Sequence, residues 1–283
     1  MRRRGRDLRG GLFQLLLLVS LGVALLTLGT LLAQVFVKGA SFLDPLLFTD
    51  PPSSDPEQAG ARPAILATLY LGVMLVLFTV PLGVGTAVYL EEYADRERWY
   101  NRLLEVNIQN LAAVPSIVYG ILGLAFIVRG PLALGPVLLA GGLILTLLVL
   151  PTVIIAAREA IRAVPSSIRE GAYALGATRW QVVSRQVLPA AIPGIATGSI
   201  LALSRGIGET APLLMIGAVA YIAFDPTPTS QFTALPVQIY NWTKLPAEDF
   251  KLLAASAIIV LLGMLLTLNA LAIWLRNRYQ RRW

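Results

Sequence analysis

The sequence predicts an all-α polytopic membrane protein with about six transmembrane helices. Three observations carry that expectation. Only 14% of the 283 residues are charged, where a soluble domain has about a quarter. About six apolar stretches each reach the roughly 20 residues needed to cross a hydrocarbon core. The Lys and Arg residues gather on alternate sides of those stretches, as the positive-inside rule requires.

The first stretch, 12–37, follows Arg2, Arg3, Arg4, Arg6 and Arg9. Its apolar run exceeds the roughly 7–15 residues of a signal-peptide core. It therefore reads as a retained helix behind a basic cytoplasmic tail, 1–11. The remaining spans are expected at 65–90, 106–128, 134–157, 190–220 and 252–275, with a second basic tail at 276–283. Residues 62–275 then form the core. With the N-terminus inside, the inner segments hold seventeen basic residues and the outer loops five, Lys38, Arg62, Arg129, Lys244 and Lys251. Both termini are thus expected in the cytoplasm. Trp99, Tyr100 and Trp274 fall near boundaries, where interfacial aromatics collect.

Composition removes several function classes. There is no Cys and no His, so disulfides, thiolate nucleophiles and the commonest metal ligands are absent. The net charge of +7 fits basic edges of a membrane protein better than a nucleic-acid surface. A membrane hydrolase would need clustered acids and a nucleophile. The adjacent acids Glu91 and Glu92 read instead as a solvated face beside Arg96 and Arg98. A secondary transporter or channel would show inverted repeats and several intramembrane carboxylates, and neither is visible.

Two outer loops stand out. The first, 38–62, contains Asp50-Pro51-Pro52-Ser53-Ser54-Asp55-Pro56 and is expected to be irregular. The last, 221–251, is long enough to pack on the outer mouth. The inner segment 158–189 is the longest cytoplasmic loop. Within it, Ser166 or Ser167 can cap a short helix with Glu170 in its first turn. Ala172, Tyr173 and Leu175 give that helix an apolar side, and Gly176 is a stop. Such a helix can lie on lipid or dock into a soluble partner's groove, and Trp180 on the loop favours the partner.

The fifth span carries Arg205 and Glu209, the only ionisable residues deep inside an expected span. A central Arg costs about 2.5–3.5 kcal/mol on insertion scales. The i, i+4 spacing places both on one helix face. Two readings remain open: a mutual salt bridge that makes both tolerable, or a site on a translocation path. The Arg fork suits the oxygens of phosphate or sulfate. Gly206 and Gly208 thin the helix for close approach, and Pro212 removes a backbone hydrogen bond and can kink it.

Glu170, Gly171, Ala172, Gly176 and Leu188-Pro189 resemble, at the same spacing, the loop signature of permeases of binding-protein-dependent ABC importers. Gly171 replaces an Ala of that signature and Gln186 an Ile. The resemblance implies a type I ABC importer permease fold, with a coupling helix that enters a cleft on an ATP-binding subunit. Glu170, Gly171, Ala172, Gly176, Arg179 and Trp180 would make that contact. The chain itself lacks the Gly-Lys pair of a phosphate-binding P-loop, since none of Lys38, Lys244 and Lys251 follows a glycine. No cofactor is expected on this chain, and ATP and Mg would be used by the partner ATPase.

Three further segments are similar to phosphate-importer permeases of the PstA type. They are Pro115-Ser116-Ile117-Val118-Tyr119-Gly120, Gly208-Glu209-Thr210-Ala211-Pro212-Leu213 and Leu235-Pro236-Val237-Gln238-Ile239-Tyr240. That resemblance implies a bacterial inner-membrane heterodimer with a PstC-type permease, two copies of the ATPase and an extracytoplasmic phosphate-binding protein. It places Arg205, Glu209 and Thr210 on the substrate path, with Gly206, Gly208, Pro212 and Pro115 as hinge or packing residues. The alternative cargo is another oxyanion, sulfate or molybdate.

Overall fold

In lipid, every backbone N–H and C=O must be satisfied within the protein, and apolar runs of this length do so as helices. A computed structural model describes residues 8–95, 97–219 and 221–279. The basic residues of 1–7, Arg96, Arg281 and Arg282, and Ala220 at the expected end of the fifth span, lie outside the described residues.

The chain runs α1 (Leu8–Gly39), α2 (Pro45–Thr49), α3 (Arg62–Val88), α4 (Trp99–Ala112), α5 (Ser116–Gly123), α6 (Leu138–Arg162), α7 (Ser166–Ala174), α8 (Arg179–Val182), α9 (Leu188–Ile207), α10 (Ala211–Met215), α11 (Leu235–Lys244) and α12 (Glu248–Tyr279). Among the described residues, five helical stretches are long and apolar enough to cross a membrane, or up to six if one bent pair counts as a span. Helices α3, α6 and α9 form the centre, packing Leu71, Leu75, Ile144, Leu145, Val149, Val153, Leu203 and Ile207 into one apolar cluster. Helix α1 is exposed along almost its whole length. It is tied to α12 at its last residue, where the buried Ser256 hydroxyl donates to Gly39 O at 2.6 Å.

The stretch 106–128, expected as one span, is broken. Helix α4 stops at Ala112 and α5 begins at Ser116, with 106° between them. Pro115 is the cause. It sits at the N-cap of α5 with φ −57° and ψ 139°, and a proline excludes the helical conformation from the residue before it. The fifth span is also displaced from 190–220. Its helix begins at Arg179 and ends at Ile207. Pro189 reads as a boundary in sequence, but a π-helical turn, Val183–Val187, precedes it. There Leu188 N–H bonds Val183 O, five residues back. Such widened turns let a helix carry a residue that cannot donate.

The loop expected at 158–189 accordingly contracts to 163–178. Helix α6 continues through Arg158 to Arg162, and Trp180 lies in the first turn of α8 rather than on a loop. Thr178 starts α8 with a capping box, its hydroxyl accepting from Gln181 N–H while Gln181 Oε1 accepts from Thr178 N–H. Neither Ser166 nor Ser167 caps α7. Pro165 occupies the N-cap with no side-chain cap bond, so Glu170 falls beyond the first turn. Gly176 does end the helix. With φ +80° it permits the paired bonds Ala177 N→Ala172 O (3.1 Å) and Gly176 N→Tyr173 O (2.9 Å), a Schellman closure.

At the opposite end, the first loop is more ordered than its prolines suggest. Asp44 caps α2 through Leu47 N–H at 3.1 Å, and Asp55 caps a 3-10 turn, Pro56–Gln58. Leu47 and Ala61 pack with Leu235, Trp242, Phe250 and Leu253, so α11 lies on α12 and α3 as a lid at this end. Arg62 pairs with Asp225 at 2.7 Å and Tyr221 donates to Ser53 O at 2.9 Å, joining the first and last loops. Gly60 closes this unit. A Cβ there would collide with the Asp50 carbonyl and lie 2.7 Å from Leu46 O. Both are backbone that cannot swing away. Gly60→Ala is therefore expected to destabilise the protein by roughly 1–3 kcal/mol, read as a lower melting temperature and faster proteolysis within 50–58. An unchanged melt would show that the loop can yield.

Candidate functional site

Arg205 stands in the last turn of α9, where a cation complements the helix dipole. Gly208 caps the helix, donating to Arg205 O at 3.1 Å. Glu209 therefore lies just past the helix end, not within a continuous span. The pair still meets, with Arg205 Nε 3.5 Å from Glu209 Oε1. Its two halves differ sharply, since the Arg205 side chain is 71% exposed and the Glu209 side chain 18%. A single long contact to an exposed guanidinium is worth little. Glu209 is the more sheltered partner, and Arg205 keeps most of its donors free for another acceptor.

The surroundings give the pair a setting. Arg205, Gly206 and Glu209 line a cleft with Val114 from the broken turn and Leu148 and Thr152 from α6. Gly206 makes the fit possible, because a Cβ there would lie 2.5 Å from Val149 Cγ2 and 2.8 Å from Leu75 Cδ2. Ser204, beside Arg205, lies 2.5 Å through its hydroxyl from Asn269 Oδ1 on α12. The cleft thus has apolar walls, one open cation, one partly shielded carboxylate and one neutral polar side chain, Thr152.

The remaining expected residues divide. Pro115 forms the break that brings Val114 to the cleft. Gly208 is a helix cap rather than a packing residue, since the atoms nearest an added Cβ there, Arg205 O at 3.6 Å and Ser204 O at 3.8 Å, belong to its own helix end. Pro212 does not kink a span; α9 has already ended, and Pro212 sits in the first turn of α10, where its missing donor costs nothing. Thr210 is the N-cap of α10 without a side-chain cap bond.

A second charged constellation lies at the α7 end, and it overturns the reading of Glu91 and Glu92 as a solvated face. Helix α3 finishes in a π-helical turn, Tyr89–Tyr93, that delivers these acids into the protein. Glu91, 3% exposed, accepts from Arg158 Nε at 2.9 Å and from Arg162 at 2.9 Å. Arg158, 6% exposed, also reaches Glu105 on α4 at 2.6 Å. Glu92 accepts from Arg169 of α7 at 2.7 Å. Arg179 stacks 4.9 Å above the Tyr93 ring, a cation–π contact. The i, i+4 spacing of Arg158 and Arg162 sets two like charges on one face of α6, which is mildly unfavourable alone, but nothing in that spacing names Glu91 or Glu105 as the partners.

No residue of α7 is buried. Tyr173, Leu175 and Trp180 are exposed beside Glu170, Gly171 and Ala172. An apolar patch on a polar loop marks a protein-interaction surface more often than free surface. Among the described residues no group of three His, Cys, Asp or Glu could hold a metal ion.

Comparison with known proteins agrees with this geometry. Residues 79–283 match the family described as binding-protein-dependent transport system inner membrane component. The probable ABC transporter permease protein YqgI of Bacillus subtilis is 31% identical over 258 residues, 87% of each chain. The phosphate transport system permease protein PstA 1 of Mycobacterium tuberculosis is 34% identical over 229 residues, 80% of this chain and 74% of that one. Among solved structures, a chain of a bacterial ABC transporter that imports the acidic polysaccharide alginate superposes with a TM-score of 0.70 over 96% of this chain and 97% of that one. At 19% identity, that likeness establishes the fold, a type I importer permease.

Proposed function

The chain belongs to the family of binding-protein-dependent transport system inner membrane components, and from that premise we propose that it is the permease subunit moving inorganic phosphate into the cytoplasm. The observation that carries this reading is Arg205, an open guanidinium in a cleft of apolar walls. Phosphate oxygens accept its paired donors well. The PstA relatives, named as phosphate transport permeases, support the cargo.

The working cycle we propose has four parts. A loaded extracytoplasmic binding protein docks on the loops joined by Arg62 and Asp225. ATP binding closes two copies of a partner ATPase, which hold α7 and the start of α8 through Glu170, Gly171, Ala172, Gly176, Arg179 and Trp180. The spans of this chain and a PstC-type partner swing between outward-open and inward-open states in the bilayer. Arg205 offers transient charge to the anion, and Glu209 re-engages Arg205 when the path empties, so no permanently tight anion site forms. This chain binds no nucleotide; ATP and Mg belong to the ATPase. The excess of Lys and Arg on one side of the spans favours both termini in the cytoplasm.

The test is uptake of labelled phosphate by phosphate-uptake-deficient cells carrying this chain with its partner subunits, under excess unlabelled sulfate or molybdate. Uptake that needs this chain and resists both competitors is expected. Loss of uptake to either competitor would assign the path to that oxyanion and leave the importer architecture standing.

A further inference from the structure

We propose that the Glu92–Arg169 ion pair is the positioning link that carries a displacement of α7 to α3. The inference rests on the reading that α7 is the surface held by the ATPase. Helix α7 is joined through the chain only to α6 and to α8 with its continuation α9. Glu92, in the turn that ends α3, lies 77 residues from Arg169, so α3 has no such connection and is reached through side-chain contacts.

Arg169 makes that connection at a single point. Its Nε and Nη2 donate to Glu92 Oε1 at 3.1 and 2.7 Å. Its Nη1 donates to Val164 O at 2.7 Å, and Nη2 also donates to Ile161 O at 3.0 Å. Ile161 O, in the last turn of α6, also accepts from Val164 N–H at 3.2 Å, and Val164 O belongs to the turn just beyond the helix, so Arg169 caps the carbonyl end of α6. One guanidinium therefore ties the ends of α3 and α6 to α7. Lys could not do this, because the joint needs donors in a planar fork.

Two features show why the link matters. No α7 residue is buried, so apolar packing alone grips the helix weakly. Glu92 itself is buried and stands in the π-helical turn that ends α3, a widened geometry that recurs at functional sites. The Tyr93 ring beneath Arg179 gives the same turn a second contact to the segment following α7. Helices α3 and α6 are already joined by Glu91 with Arg158 and Arg162, so a pull that Arg169 transmits from α7 moves the two as one body.

The experiment uses the complete complex in proteoliposomes and reads phosphate imported per ATP hydrolysed. Glu92→Gln and Arg169→Lys are expected to lower that ratio about tenfold in complexes that still assemble. The control Glu159→Gln, an exposed acid outside the joint, is expected to leave it unchanged. The chain has no cysteine, so the double variant Glu92→Cys/Arg169→Cys can be bridged by a bis-methanethiosulfonate linker. Bridging is expected to restore the ratio to within about twofold of wild type, and reductant to remove the gain. A role in stability alone would not give a reversible, linker-dependent ratio. Wild-type ratios in both point variants, or no response of the assembled double variant to the linker, would overturn the link alone. A wild-type complex whose ATPase ignores the loaded binding protein would overturn the importer reading, and the link with it.

Discussion

Arg205→Gln is expected to lower phosphate uptake about 100-fold or more while the complex still assembles. The size follows from the bonds at stake. Hydrogen bonds to a charged group contribute about 1.5–3 kcal/mol each, and two from one guanidinium correspond to at least two powers of ten. The survival of the fold follows from the other side of the same geometry. Arg205 is largely exposed and loses only the 3.5 Å contact to Glu209, a change of at most about 1 kcal/mol. Arg205→Lys keeps the charge without the fork and should fall between the two. Uptake and co-purification of the partner subunits, measured on the same membranes, separate transport from assembly. Wild-type uptake by Arg205→Gln would take the cation off the path and leave it as a partner for Glu209 alone.

That Arg205 was legible at all reflects contrast: one cation with a single acid four residues on stands out in an otherwise apolar run. The same logic failed at Glu91 and Glu92. Their neighbours in sequence, Arg96 and Arg98, supply a local explanation, so solvation looked sufficient. Their structural partners lie 67 to 77 residues away, and no short-range pattern points there. The spans were legible because hydrophobicity accumulates over twenty residues. Direction does not accumulate in that way. A window over 106–128 carries no charge, yet one proline at 115 turns the chain by 106°. Glycine carries a similar ambiguity. Gly206 and Gly208 look alike as thinning residues, but only the first meets a neighbouring helix, and the second ends its own.

The buried cluster at the α7 end yields the largest expected loss of stability. Arg158→Met should destabilise the protein by about 3–5 kcal/mol, the range for removing one partner of a buried ion pair. Glu91 keeps Arg162 but loses its buried donor, and at 3% exposure it gains little water in exchange. Glu105, 38% exposed, is partly solvated and contributes less. Arg162 contacts the same Glu91 oxygen at the same 2.9 Å, yet its side chain is 46% exposed. Arg162→Met should therefore cost about 1 kcal/mol or less. Pairing Arg158→Met with Glu91→Gln removes the buried carboxylate along with its buried donor, and the double variant should recover part of the loss, because apolar or neutral replacements of a whole buried pair are often tolerated. Melting temperatures of the purified protein in one detergent rank the three. Equal losses from Arg158→Met and Arg162→Met would mean that water reaches Glu91, restoring the solvated face that its neighbours in sequence suggest. Unequal losses in the stated order would show burial, and not the number of charges, setting the energetics of the joint through which α3, α4 and α6 meet.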